Sequence, residues 1–228
     1  MKQQKIIHNQ QEIEISYSKD IFTVTSDSVS LVEFIKLKAS DKQIIDFGSG
    51  IGTIPFLLST STKKEIIGFE IQKELVRLSN YNIQQNHKED QIKIIFDRIQ
   101  NANHYFPSDS VSLIVSNPPY FKKESTPFRN AAETKSIARH EIEITFEELV
   151  QSADKILKNH GRFVFIHRTE RLIEIIETLR KYKLEPKRIK LIYTKQNKNA
   201  ILFLMEAVKK GNPGLKIEPP EIRERNEL

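Results

Sequence analysis

Two periodicities divide this chain. In Glu12-Ile13-Glu14-Ile15-Ser16-Tyr17 and Asp20-Ile21-Phe22-Thr23-Val24 apolar residues alternate with polar ones, the period of two that marks short strands or a hairpin. From Val29 the spacing lengthens, and Val29, Leu31, Val32, Phe34 and Ile35 form the apolar side of an amphipathic helix. Thr25-Ser26-Asp27-Ser28 stands just ahead of it and supplies N-cap residues. The next segments are short apolar runs alternating with helical patterns. Ile44–Phe47, Glu65–Glu70, Gln91–Phe96 and Val111–Val115 read as buried strands. Between the first three lie a helix through Ile54, Phe56, Leu57 and Leu58 and another over Gln72–Asn86, with Leu75, Leu78 and Ile83 inward. Beyond the fourth, Thr145–Leu157 is an amphipathic helix, Gly161–Ile166 a fifth strand, and Leu172–Leu179 part of another helix. Arg188–Tyr193 and Ala200–Val208 make a closing strand pair around the polar tip Thr194–Asn199. This order predicts one α/β domain. From Gly211 to Leu228, prolines and glycines predict an extended, loosely held tail.

Composition narrows the class. At 228 residues the chain can fill one α/β core, and 38% hydrophobic with 29% charged residues fits a soluble globular protein rather than a disordered one. No apolar run approaches the ~20 residues that span a bilayer, and the start Met1-Lys2-Gln3-Gln4-Lys5 leads into too little apolar sequence for a signal peptide. Without cysteine there is no disulfide framework or thiolate metal site, which fits a cytoplasmic location. The six histidines are scattered without ligand spacing, so no metal is expected. Charge is uneven. Residues 1–180 carry 24 basic and 24 acidic side chains, whereas residues 181–228 carry 12 against 6. Compositional bias would enrich lysine throughout, so the local excess points to a polyanion, a nucleic acid.

The candidate chemistry lies where strands end. Ser116-Asn117-Pro118-Pro119-Tyr120 follows the fourth strand, and two prolines make a stiff loop that cannot continue a ladder. Such a loop presents an amide side chain, backbone carbonyls and an aromatic face, groups suited to a planar ligand bearing an NH2. Two acceptors can draw the amine hydrogens out of plane and favour a nucleophilic nitrogen without a strong base. A strand-ending turn with a surface tyrosine is the plain alternative. Asp46-Phe47-Gly48-Ser49-Gly50-Ile51-Gly52 is a strand followed by a glycine turn that opens a helix, and it lets a ligand approach the backbone and a helix N-terminus. Its G-x-G-x-G spacing with a preceding acid differs from the dinucleotide fingerprint. A carboxylate beneath the loop would repel a pyrophosphate and suits an ammonium, such as that of S-adenosylmethionine. Glu70, 24 residues after Asp46, ends the next strand, where it can accept from both ribose hydroxyls. Asp97 ends the third, where it can take an adenine amino group. Each acid alone reads as a cap or turn residue, and so does Asp27; three acids on three successive strands make coincidence improbable.

Together, Asp46 through Gly52, Glu70, Asp97 and Asn117-Pro118-Pro119-Tyr120 resemble the class I S-adenosylmethionine-dependent methyltransferases that modify an exocyclic or amide nitrogen. Thr25–Leu31, Ser125-Thr126-Pro127 with Arg129, Ala138-Arg139-His140-Glu141 and Lys210–Lys216 make the chain most similar to the bacterial tRNA1(Val) adenine-37 N6-methyltransferases. The resemblance implies a Rossmann-like seven-stranded sheet with helices on both faces. It implies an N-terminal addition over residues 1–40, a catalytic domain over 41–208 and an extended tail over 209–228. S-adenosyl-L-methionine would be held by Asp27, Asp46, Gly48, Gly50, Gly52, Glu70, Ile71, Asp97, Arg98 and Asn117. Asn117, Pro118, Pro119 and Tyr120 would hold a flipped adenine. Lys122, Lys123, Arg129 and Arg139, in the long polar connection 121–142, and Lys195 and Lys198 at the hairpin tip would meet tRNA. A monomer without metal or membrane attachment is expected. Glutamine methylation of release factors is the alternative, but its enzymes carry a helical N-terminal domain. Guanine N2 methylation of ribosomal RNA ranks third, and a non-catalytic RNA-binding module would predict damage to motifs that are intact here.

Overall fold

The computed structural model of the chain describes residues 2–17, 25–118, 144–196 and 198–224. Asn9 and Gln10, with φ of 47° and 62°, turn the chain between β1 (Lys2–His8) and β2 (Gln11–Tyr17). Two positive-φ residues in a two-residue loop match the right-handed twist of a hairpin. The alternation in residues 12–17 therefore does mark a strand; Asp20–Val24 lies outside the described residues. Helix α1 (Ser26–Phe34) follows, capped by Thr25, whose side chain accepts from Ser28 N. Asp27 is thus within the first turn and is not the cap.

A sheet of nine strands forms the centre, in the order β10-β8-β9-β7-β6-β3-β4-β5, with β11 also paired to β8. Strands β3 (Gln43–Phe47), β4 (Glu65–Glu70), β5 (Ile92–Phe96), β6 (Val111–Ser116) and β7 (Leu157–Arg168) are mutually parallel along this path. Strand β9 (Leu202–Lys209) runs antiparallel between β7 and β8 (Leu184–Thr194). These seven are the expected sheet. The two short additions come from the tail: β10 (Lys216–Ile217) and β11 (Glu221–Arg223) lie parallel to β8 along its outer edge. The tail, read from the sequence as loosely held, is tied to this edge, where it covers backbone groups of β8 that would otherwise be unpaired. Glu218 pairs with Arg188 Nε at 2.8 Å, and Arg223 is 2% exposed.

Helices cover both faces. On one side α1, α2 (Thr53–Ser59) and α3 (Lys73–Gln85) pack Leu31, Phe34, Phe56, Leu57 and Ile83 against Ile44, Ile66, Leu113 and Val115. On the other, α4 (Ala102–Tyr105), α5 (Phe146–Ile156) and α6 (Leu172–Lys181) bring Ala102, Leu149, Val150, Ile175 and Leu179 onto Ile45, Phe47, Phe69, Phe163 and Phe165. Each fully buried Leu or Phe contributes about 1.5–3 kcal/mol relative to an exposed one. Arg162, 1% exposed, reaches under the sheet to Asp41 at 2.6 Å and to Lys36 O at 2.8 Å. Arg188 Nη2 donates to Phe34 O at 2.9 Å. Two arginines therefore satisfy carbonyls at the C-terminal end of α1, the end at which a helix favours cations. No helix among the described residues is long and apolar enough to cross a membrane.

Candidate active site

Strand order reverses at β3, with β4 on one side and β6 on the other. The crevice beyond these strands' C-terminal ends is where open α/β sheets bind ligands. Ser116 Oγ donates to Phe47 O at 2.8 Å and ties the tips of β6 and β3 together. The chains then part, one into the glycine turn and the other into Asn117-Pro118. Gly48, Gly50 and Gly52 all have positive φ (83°, 56° and 89°), a region that side chains rarely adopt. They differ in surroundings. A Cβ at Gly48 or Gly50 would meet nothing within 4 Å, whereas one at Gly52 would lie 2.7 Å from Ser79 Oγ and 3.0 Å from Phe56. The first two glycines face open space; the third lets α2 start against α3.

Asp46 lies beneath this turn, fully buried, and neither carboxylate oxygen has a hydrogen-bond partner among the described residues. Burial pushes its carboxyl up to about 7; the neighbouring Ser49 hydroxyl, which makes no hydrogen bond to either oxygen, opposes this only in part, and the Glu70 charge adds to it. Glu70, at the tip of β4, is tied down: its two oxygens accept from Gly50 N at 2.9 Å and Gln72 N at 2.8 Å. Burial raises its carboxyl too, against those hydrogen bonds. Asp97, just beyond β5, accepts from Arg98 N at 2.7 Å, Asn101 Nδ2 at 2.8 Å and Tyr105 Oη at 2.9 Å. Desolvation opposes its ionisation, but these three bonds outweigh it and hold the carboxyl below the usual range. The three acids thus stand along one edge of adjacent parallel strands. Asn117, partly buried, directs Nδ2 to Ser28 Oγ at a long 3.4 Å, and Pro118 is buried. Asp27 pairs with Arg223 Nη1 at 2.6 Å, so its carboxylate already serves a contact with the tail.

An orphan buried carboxylate under glycines that leave room for a ligand fits a donor carrying an ammonium. Residues 15–188 match the family model of the methyltransferase small domain. The chain belongs to this family. It is 26% identical over 203 residues to a tRNA1(Val) (adenine(37)-N6)-methyltransferase of Pedobacter heparinus, covering 89% of this chain and 84% of that protein. A protein of the same name from Flavobacterium psychrophilum is 24% identical over 195 residues, covering 84% and 82%. Among solved structures, a predicted O-methyltransferase from Agrobacterium tumefaciens superposes with a TM-score of 0.64 at 19% identity, covering 87% of this chain and 88% of that one. Geranyl diphosphate C-methyltransferase from Streptomyces coelicolor A3(2), solved with S-adenosyl-L-homocysteine, gives 0.59 at 12%, covering 80% and 76%. The likeness to these structures is one of fold.

The remaining sequence candidates of this small-domain methyltransferase fall into three groups. Ile71 is half-buried beside Glu70, and Arg98 is exposed beside Asp97. Lys195 and Lys198 belong to the tip between β8 and β9; β8 and β7 are both antiparallel to β9, which puts that tip at the same edge as Asn117. Both lysines are exposed, and Lys195 is already paired with Glu224. Pro119, Tyr120, Lys122, Lys123, Arg129 and Arg139 lie outside the described residues. Sequence reading missed Asn101 and Tyr105, which hold Asp97, and Arg223, which holds Asp27. The first two stand four and eight residues beyond Asp97, a helical spacing after a strand-ending acid that could have flagged them. Arg223 is 196 residues from its partner, and nothing local announces it.

Proposed function

We propose that this chain is an S-adenosylmethionine-dependent methyltransferase that acts on the N6 of an adenine in tRNA, adenine 37 of tRNA1(Val). One observation carries the reading: a buried, unpartnered Asp46 under an open Gly48–Gly50 turn stands one strand away from Asn117-Pro118. Family membership and the names of the relatives support the same chemistry. Asp46 would face the ammonium of the donor, Glu70 its ribose and Asp97 its adenine. Bound there, the donor supplies an electrophilic methyl group on a sulfonium.

The chain's own part is orientation. Oδ1 of Asn117 would accept from the amine, with the Pro118 carbonyl as a second acceptor. Hydrogen bonds from N6 to both would localise its lone pair toward the donor side, and the fixed φ of Pro118 limits how far the two acceptors can move apart. Preorganised acceptors of this kind act on charge that develops in the transition state. Proximity supplies much of the remainder. Lys195 and Lys198 at the same edge fit RNA phosphates flanking the target.

Incubation with labelled donor and separate tRNA, DNA and protein fractions, followed by nucleoside digestion, tests this directly. N6-methyladenosine in tRNA is expected. Label in glutamine or in N2-methylguanosine would replace the substrate assigned here, and no label in any fraction would remove the enzyme. Asn117→Ala should lower turnover by roughly 100-fold or more while donor affinity by calorimetry changes less than about threefold. Equal losses in both would take Asn117 away from the acceptor.

A further inference from the structure

Helix α1 is clamped by arginines at both ends, and the two clamps obey different physics. At its C-terminal end Arg188 and Arg162 meet the carbonyls of Phe34 and Lys36, as the helix dipole favours. At its N-terminal end stands Arg223, where the dipole disfavours a cation. Arg223 Nη1 donates to Asp27 Oδ1 at 2.6 Å and to Ser26 Oγ at 3.0 Å, and Nη2 donates to Ser30 Oγ at 2.8 Å. Nε donates to Glu221 Oε1 at 2.6 Å, and the same oxygen accepts from Ser30 Oγ at 2.7 Å. The guanidinium side chain is 3% exposed. Ser26 and Asp27 in the first turn and Ser30 in the next are therefore fixed by one planar fork from the C-terminal tail. Ser28 lies between them, and its hydroxyl is the atom that Asn117 Nδ2 reaches at 3.4 Å. That distance is near the limit for a hydrogen bond, so the contact is sensitive to small shifts of the turn, in which Thr25 Oγ1 also lies 3.3 Å from the Ser28 hydroxyl.

We infer that Arg223 is a positioning residue: by fixing the first turn of α1 it sets Ser28 against Asn117 and so orients the amide at the acceptor side of the crevice. The inference rests on the methyltransferase reading above. It gives β10 and β11 a purpose besides covering an edge, since the strap carries Arg223 along β8 to the level of Thr194, at the crevice end of the sheet. The arginine is tolerated there because Asp27 and Glu221 offset its charge, and its fork reaches three side chains of α1 that a lysine ammonium could not order together.

The test uses the full chain with tRNA and measures kcat, donor affinity and thermal stability for Arg223→Lys, Ser28→Ala and the double variant. Arg223→Lys retains the charge and loses the fork. The expected result is a drop in kcat of roughly 10- to 100-fold in each single variant, with donor affinity little changed. The double variant should be no worse than the poorer single one, because both act through one contact. Wild-type turnover in Arg223→Lys, or losses that multiply in the double variant, would overturn the inference. If Arg223→Lys fails to fold, Ser28→Ala alone decides: normal kcat there overturns it. Wild-type protein that transfers no methyl group defeats the proposed function instead, a result distinct from an active wild type with an indifferent Arg223.

Discussion

Asp46 is a destabilising residue when its carboxyl is ionised in the fold. Its carboxyl sits near 7 in the fold against about 3.9 in an unfolded chain. Between these values the folded state binds more protons than the unfolded one, so stability falls as pH rises through that window. A ligand ammonium reverses the preference by stabilising the ionised form. Donor affinity should therefore rise with pH up to about 7 and flatten above it, which calorimetry from about pH 5 to about pH 8 would measure. Asp46→Asn should remove that dependence and weaken binding, while making the free protein roughly 1–3 kcal/mol more stable at about pH 8, after the cost of an unsatisfied amide is subtracted. A pH-independent wild-type affinity would separate Asp46 from the donor. The glycines call for a similar distinction. Three glycines at alternate positions are equivalent in the sequence, yet Gly48→Ala would meet no atom and carry only the ~1–2 kcal/mol of a left-handed alanine. Gly52→Ala adds a collision with Ser79 and Phe56, so urea unfolding should find it the more destabilised of the two, and donor binding should be more sensitive to Gly48→Ala relative to its stability cost.

At the scale of elements, the hairpin β1–β2 is attached by side chains acting as a strand. Asn82 accepts from Ser16 N at 2.9 Å and donates to Ser16 O at 3.0 Å, and one turn on Asn86 does the same for Glu14 at 3.0 and 2.8 Å. Residues four apart along α3 and its C-cap thus match alternate residues of β2, because 1.5 Å per helical residue over four nearly equals two strand residues at about 3.3 Å. Asn82→Ala leaves a buried donor and acceptor without partners, and urea unfolding should show a loss on the order of 3 kcal/mol, with hydrogen exchange rising first in β2. An unchanged protein would mean that the apolar contacts of Ile13 and Ile15 suffice. None of this is visible in the sequence, where Asn82 and Asn86 read as polar positions on a solvated face. The strands, by contrast, are legible because burial imposes runs of Ile, Val and Phe. So is the start of α5, where Thr145 and Glu148 form a reciprocal capping box that Thr at the helix start already suggests. The tail departs from expectation for a physical reason: prolines and glycines report a lack of regular structure, not a lack of tertiary contacts. Glu218, Glu221 and Arg223 anchor it through pairings across 30 to 196 residues, and no local period records them.

Over the whole molecule, sheet polarity sorts the charge that the sequence can only count. The basic excess of residues 181–228 reads as one feature, but antiparallel β8 and β9 divide it between two ends of the sheet. Lys181 and Lys183 precede β8, and Lys209 and Lys210 end β9; these line one cleft with Asp109 and Asp154 at the end away from Asn117. There Lys209 is partly neutralised by Asp109 and Asp154, each at 3.2 Å. Lys195 and Lys198 lie at the opposite end with the crevice, and Lys195 shares its charge with Glu224. Arg188 and Arg223, counted in the same excess, are consumed by internal ion pairs. Of the two described lysines at the β8–β9 tip, Lys198 is therefore the one without an ion pair to a described residue, placed to meet a phosphate of an RNA whose base would enter beside Asn117. Lys198→Ala should weaken tRNA binding and reduce the slope of log affinity against log salt by about one unit, as expected when a single phosphate loses its cationic partner. Lys183→Ala, exposed and equally basic but at the far end, should leave the slope unchanged. Filter binding across a salt series measures both. Equal changes in the two slopes would mean that tRNA feels only the overall charge; a change in Lys183→Ala alone would turn the RNA toward the far end of the sheet and away from the crevice proposed to hold the adenine.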